Sequence, residues 1–136
     1  MRCRAALPDD IMMRSEQVLA LSRAGMQVGA HTVTHPILAG MPGAEVLAEV
    51  EGSRRALSAI TGKPVTLFAY PNGVPGKDFS DATVELIAAA GFDCAVTTSW
   101  GAARRDTDRF RLPRFTPWDR TRARFGARLA ANLLRT

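Results

Sequence analysis

The chain has 136 residues, 46% of them hydrophobic, enough for one domain with a real core. It carries a formal net charge of +5 and two cysteines, Cys3 and Cys94, far apart and in no Cys-x-x-Cys pair. Such a composition excludes a disordered tail, a disulfide-stapled scaffold, a zinc ribbon and a thioredoxin-type redox motif.

In chain order, residues 1–7 are basic without an apolar stretch behind them, so no signal-peptide pattern is visible. No run approaches the ~20 apolar residues of a membrane span. Residues 1–136 therefore read as a single soluble domain. Ser15 is expected to cap a first helix carrying Val18, Leu19 and Leu21, which Gly25 ends in a left-handed turn. Residues 26–30 are short and half apolar, the profile of a strand. A second helix is predicted over 44–60, with Val46, Leu47, Val50, Leu57 and Ile60 on its apolar face and Gly62 closing it. Glu51 and Arg55, four apart, fall on its outer side.

Lys63-Pro64 then leads into the clearest strand, 65–70, which Pro71-Asn72-Gly73 stops. A third helix is predicted over 80–90, ending at Gly91, and a strand over 92–97, inside which Cys94 is expected as a buried free thiol. Residues 112–115 give one more short strand, with Pro113 placing it at an edge or a strand end. The basic segment 119–136 forms a last helix, capped by Asp119 or Thr121, with Phe125, Leu129 and Leu133 on its apolar side. Helices alternating with short apolar strands argue for βα units on a parallel sheet or barrel.

Both histidines of the chain, His31 and His35, fall just past the predicted strand 26–30. In parallel α/β folds the C-terminal ends of strands carry the reactive groups. Two imidazoles four residues apart can share one metal ion if the loop between them turns helically. Thr32 and Thr34 could hold that turn and Pro36 fix its exit. The alternative is a pair of loop histidines bonded to backbone or water. Arginines crowd the last quarter, from Arg104 and Arg105 through Arg114 to Arg124 and Arg128. That face could meet nucleic acid, an anionic glycan or acidic lipid heads, or simply be solvated. No nucleic-acid-binding motif accompanies the charge, so nucleic acid is not an expected partner.

His31-Thr32-Val33-Thr34-His35-Pro36 resembles the H-[ST]-x-x-H-P motif of the polysaccharide deacetylases, the NodB-homology carbohydrate esterases. Residues 23–30 resemble that family's helix-to-strand lead-in. Phe68-Ala69-Tyr70-Pro71-Asn72-Gly73 resembles its F-x-x-P-[YN]-G segment, one wall of the active-site groove. The resemblance runs from about residue 7 to 117. It implies an α/β fold, a partial (β/α) barrel of the deacetylase type, and metal-dependent removal of N-acetyl groups from an N-acetylated polysaccharide or oligosaccharide. It implies a divalent metal, usually zinc, on His31 and His35 together with an Asp. It places Phe68, Tyr70, Pro71 and Asn72 against substrate, with a backbone N–H near Tyr70 stabilising the oxyanion. A side chain closing the barrel's top is the alternative role for Tyr70.

The family's [TS]-F-D-D motif, source of the general base and the metal-binding Asp, has no counterpart here. The one Asp-Asp pair, Asp9-Asp10, follows Pro8 and reads as solvated loop carboxylates. Ala69 stands near the family's orienting Arg, and Leu112-Pro113-Arg114 replaces its L-x-H motif. An Arg cannot donate a proton at neutral pH, because its pKa exceeds about 12. Arg114 is thus left to act electrostatically, on an anionic sugar or the oxyanion, or to form a surface salt bridge. Two His ligands leave zinc short of the usual three protein ligands. The expectation is a domain lacking its N-terminal strands, with activity of this chain alone in question. A protein partner or second copy would cover its open sheet edges. The alternative is a non-catalytic remnant that binds carbohydrate or a protein partner.

Overall fold

The computed structural model describes residues 12–116 and 118–134. Its elements are α1 (Ser15–Arg23), α2 (Gly43–Thr61), β1 (Leu67–Ala69), α3 (Asp81–Ala89), β2 (Cys94–Val96) and α4 (Arg122–Leu134). Cys3 and the pair Asp9-Asp10 lie outside the described residues.

Four chain segments run parallel, side by side. Ala30 bridges Phe68, β1 pairs with β2 in the register Leu67–Cys94, Phe68–Ala95 and Ala69–Val96, and Val96 bridges Leu112. The strand order is therefore Ala30, β1, β2, Leu112, with α2 and α3 in the crossovers. This is the expected partial (β/α) barrel. Each predicted strand is realised more briefly than its apolar run. Of residues 26–30 only Ala30 pairs, donating to Leu67 O at 2.8 Å and accepting from Ala69 N at 2.9 Å. Beyond the ends of β2 the ladder continues as single bonds, Asp93 N–H to Thr66 O and Thr97 N–H to Leu112 O, both 2.8 Å. Gly29 suits the close approach where the first two segments meet, because a Cβ there would lie 3.2 Å from Leu67 O.

The core lies between the sheet and α2 and α3. Val46 and Val50 come from α2, Val84 and Ile87 from α3, and Phe68 and Ala95 from the strands, all buried. Phe68 meets Tyr70 edge-on at 5.3 Å and a tilted Phe92 at 5.4 Å between ring centroids. Truncating such a side chain to Ala costs about 3–5 kcal/mol. Glu51 and Arg55 pair across the outer face at 3.4 Å, as their spacing predicts.

Two expectations are corrected. Ser15 is the first helical residue rather than the cap, and the start of α1 is fixed by the Arg14 N–H donating to Gln17 Oε1 at 2.8 Å. Cys94 is half-buried, because it alternates with the buried Ala95 and so lies on the side of β2 turned away from that core. The α4 helix does start where Thr121 predicts, its Oγ1 accepting from Arg124 N at 3.3 Å. Its expected apolar face is only partly covered. Phe125 packs edge-on against Phe115, but Leu133 is 61% exposed, because the buried side of α4 is the one carrying Asn132.

Candidate functional site

The loop after Ala30 bends back on itself within five residues. Thr32 (φ 65°) and His35 (φ 60°) both adopt the left-handed region. With Asn72 (φ 55°) they are all the non-glycine residues of positive φ among the described residues. Each such residue costs roughly 1–2 kcal/mol, and such strain persists where the surroundings over-determine it. All three lie just past a strand's C-terminal end, where the sequence placed the chemistry.

The strain is held by a dense set of hydrogen bonds. Thr32 Oγ1 accepts from His35 N at 3.1 Å and donates to the His31 carbonyl. Glu49 of α2 accepts through Oε2 from Val33 N (2.7 Å) and Thr34 N (2.8 Å), and through Oε1 from the Thr34 hydroxyl (2.8 Å). These bonds, that from Thr34 N first, hold the Glu49 carboxyl below its ordinary range against an opposing effect of burial. One turn on, the buried Ser53 accepts from His31 N at 3.3 Å.

His31 Nδ1 lies 2.8 Å from Ala69 O. A carbonyl only accepts, so Nδ1 carries the proton and Nε2 keeps the lone pair that a metal needs. The His31 and His35 ring centroids are 4.8 Å apart, with both side chains exposed. Two imidazoles on one tetrahedral zinc, with Zn–N bonds of about 2.0–2.1 Å, put their centroids roughly 5 Å apart. The observed centroid spacing matches that of two imidazoles on one ion. Among the described residues no group of three His, Cys, Asp or Glu side chains stands ready to hold a metal.

The second segment is split by the structure. Phe68 and Tyr70 are each 2% exposed, and Pro71 is fully buried. The Tyr70 ring stacks on Phe79 at 3.8 Å, and its hydroxyl donates to Phe110 O at 2.9 Å. Burial pushes that phenol far above its usual pKa. The Phe68, Tyr70 and Pro71 side chains are thus packed into the core rather than open to a groove, Phe68 and Tyr70 by the alternation of the extended chain and Pro71 in the bend that follows. The Tyr70 N–H donates within the sheet to Val96 O at 3.3 Å, so it is not free for an oxyanion.

Asn72 is exposed, and its N–H has no acceptor among the described residues. It lines an open cleft of about 690 Å³ with Trp100, Arg114, Phe115 and Trp118. Gly73 beside it needs its positive φ of 76°, and a Cβ there would lie 3.0 Å from Thr98 N. Arg114 is exposed, and among the described residues its side chain forms no ion pair. The sequence reading missed Glu49. Its one signal was a lone acidic residue between Val46 and Val50 on the buried side of α2.

Known proteins resemble this chain in sequence and fold. The family model described as polysaccharide deacetylase matches residues 7–95. The chain belongs to the polysaccharide deacetylase family. Over 102 residues it is 26% identical to YxkH of Bacillus subtilis, provisionally named a polysaccharide deacetylase, covering 75% of this chain and 35% of that protein. The structure of BC0361, a polysaccharide deacetylase from Bacillus cereus, superposes with a TM-score of 0.71 at 25% identity, covering 88% of this chain and 37% of that one. The Streptococcus pyogenes deacetylase PplD, in complex with acetate, gives 0.72 at 24% identity, covering 79% and 46%. This deacetylase-family chain thus spans about a third of the curated relative and under half of the two solved ones. No helix among the described residues is long and apolar enough to cross a membrane.

Proposed function

We propose that this domain supplies the histidine half of a metal-dependent glycan N-deacetylase site. The observation that carries the reading is the His31–His35 pair at 4.8 Å, with the His31 Nε2 lone pair fixed by the Ala69 carbonyl. His31 and His35 would hold a divalent ion, zinc by ligand type. Bound there, the ion would polarise an acetyl carbonyl and lower the pKa of a water molecule.

The chain's own residues then act around it. The Asn72 N–H, rather than that of Tyr70, donates to the developing oxyanion. Arg114 holds an anionic sugar, or the same oxyanion, as a fixed charge in the cleft. Glu49 uses its acceptors on Val33 and Thr34, so it is not free to serve as the general base. The base and the third metal ligand come from a carboxylate beyond the described residues or from a protein partner that covers the sheet edge beside Ala30. The substrate is an N-acetylated polysaccharide or oligosaccharide.

The test is acetate release from N-acetylglucosamine oligomers with added zinc, for the wild type and His35→Ala. Zinc-dependent release lost in the variant supports the reading. Zinc held through both histidines without release at any occupancy would favour carbohydrate binding without chemistry.

A further inference from the structure

One face of α2 is shaped to the histidine loop at three successive contact points. Glu49 receives two consecutive main-chain N–H groups and a hydroxyl from Val33 and Thr34 at 2.7–2.8 Å. Ser53, one helical turn further, receives the His31 N–H. Gly52, between them, lets the helix approach, since a Cβ there would lie 2.9 Å from Val33 Cγ2. The consecutive N–H groups follow the left-handed Thr32, the arrangement in which backbone amides form an anion-binding concavity. Here the anion is a side chain of the same chain.

We propose that Glu49 is a positioning residue of the histidine pair, with Ser53 as its second point of attachment. Its hydrogen bonds among the described residues go to Val33 and Thr34, not to either imidazole. It holds Val33 and Thr34, so that the left-handed Thr32 and His35 stay in place and the two rings face one ion. A loop with two strained residues would otherwise relax, and its N–H groups would turn to water. The charged acceptor suits this task, because carboxylate bonds to N–H and O–H are shorter and about twice as strong as neutral ones. The inference rests on the reading of His31 and His35 as metal ligands. Its structural half stands apart from that reading.

The experiment uses the full 136-residue chain as wild type, Glu49→Gln, Glu49→Ala and Glu51→Gln. Zinc affinity is measured by competition with a chromophoric chelator. Amide exchange of Val33 and Thr34, and the imidazole shifts of His31 and His35, are read by NMR in the metal-free proteins. Both Glu49 variants should bind zinc roughly 10–100-fold more weakly. They should also lose amide protection at Val33 and Thr34 and move both imidazoles. Glu51→Gln removes the same charge from the outward side of α2 and should change none of these. Unaltered zinc affinity in both Glu49 variants, or an equal loss in Glu51→Gln, would overturn the proposal. If the wild type binds no zinc, the metal reading fails, and the metal-free spectra alone decide. Imidazoles that move in Glu49→Gln uphold the positioning role, and unmoved ones overturn it. The near-isosteric Gln variant keeps the test open should the Ala variant fail to fold.

Discussion

His31 Nδ1 lies 2.8 Å from the carbonyl oxygen of Ala69, so the histidine loop after one strand is tied to the backbone of the next. Ala69 also donates its N–H to Ala30 O at 2.9 Å, immediately before His31. The strand register and the imidazole orientation are thereby set by the same residue. A one-residue slip of β1 would break both contacts at once.

The His31 tautomer follows directly. In the neutral ring, Nδ1 should give the nitrogen shift of a protonated, pyrrole-type atom and Nε2 that of an unprotonated one. Long-range proton–nitrogen correlation of the ring measures this. The opposite tautomer would mean that the Ala69 contact does not persist in solution.

The loop's attachment to α2 should weaken in acid. Hydrogen bonds from Thr34 and Val33 hold the Glu49 carboxyl below its ordinary pKa. A carboxylate whose folded pKa is depressed gives stability that is full above the unfolded pKa and is lost as pH falls through the folded pKa. The difference in thermal midpoint between wild type and Glu49→Gln should therefore be constant above about pH 5 and shrink below it. A difference that grows on acidification would reverse the sign and contradict the assignment.

Tyr70→Phe separates a core role from a catalytic one. It removes the buried bond to Phe110 O at 2.9 Å and leaves that carbonyl without its partner, while the stack on Phe79 remains. A loss of about 1–3 kcal/mol in urea denaturation is expected. Zinc affinity should be unchanged.

Gly73→Ala tests the turn that exposes Asn72. A Cβ would meet Thr98 N at 3.0 Å and Tyr70 O at 3.2 Å, on a residue of φ 76°. Both neighbours are backbone and cannot step aside cheaply. The variant should lose at least ~1 kcal/mol of stability and shift the Asn72 amide resonance.

The helices and the order of the parallel segments were legible because period and turn chemistry agree: α2 ends at Gly62 in the left-handed region, and α3 begins after Ser80, whose hydroxyl accepts from Thr83 N. The histidine loop was legible as a motif at a strand end. Strand length was not, because residues 26–29 are apolar enough for a strand but have no neighbour to pair with among the described residues. Phe68 and Tyr70 were placed in the groove by motif, whereas the alternation along β1 turns both into the core. Glu49 could not be found from spacing, since its partners lie 15 and 16 residues away in a loop. The apolar side of α4 was readable as amphipathic, but which face packs depends on Asn132 reaching the Gly101 carbonyl at 3.0 Å.

The central claim is that His31 and His35 share one divalent ion. Zinc titration of the full chain, followed by the imidazole nitrogen resonances, tests it most directly. One equivalent should shift His31 Nε2 and one His35 ring nitrogen together, with saturation at one ion per chain, and His35→Ala should abolish the shift at His31. Imidazoles that respond independently, or that stay unmoved in millimolar zinc, would contradict it.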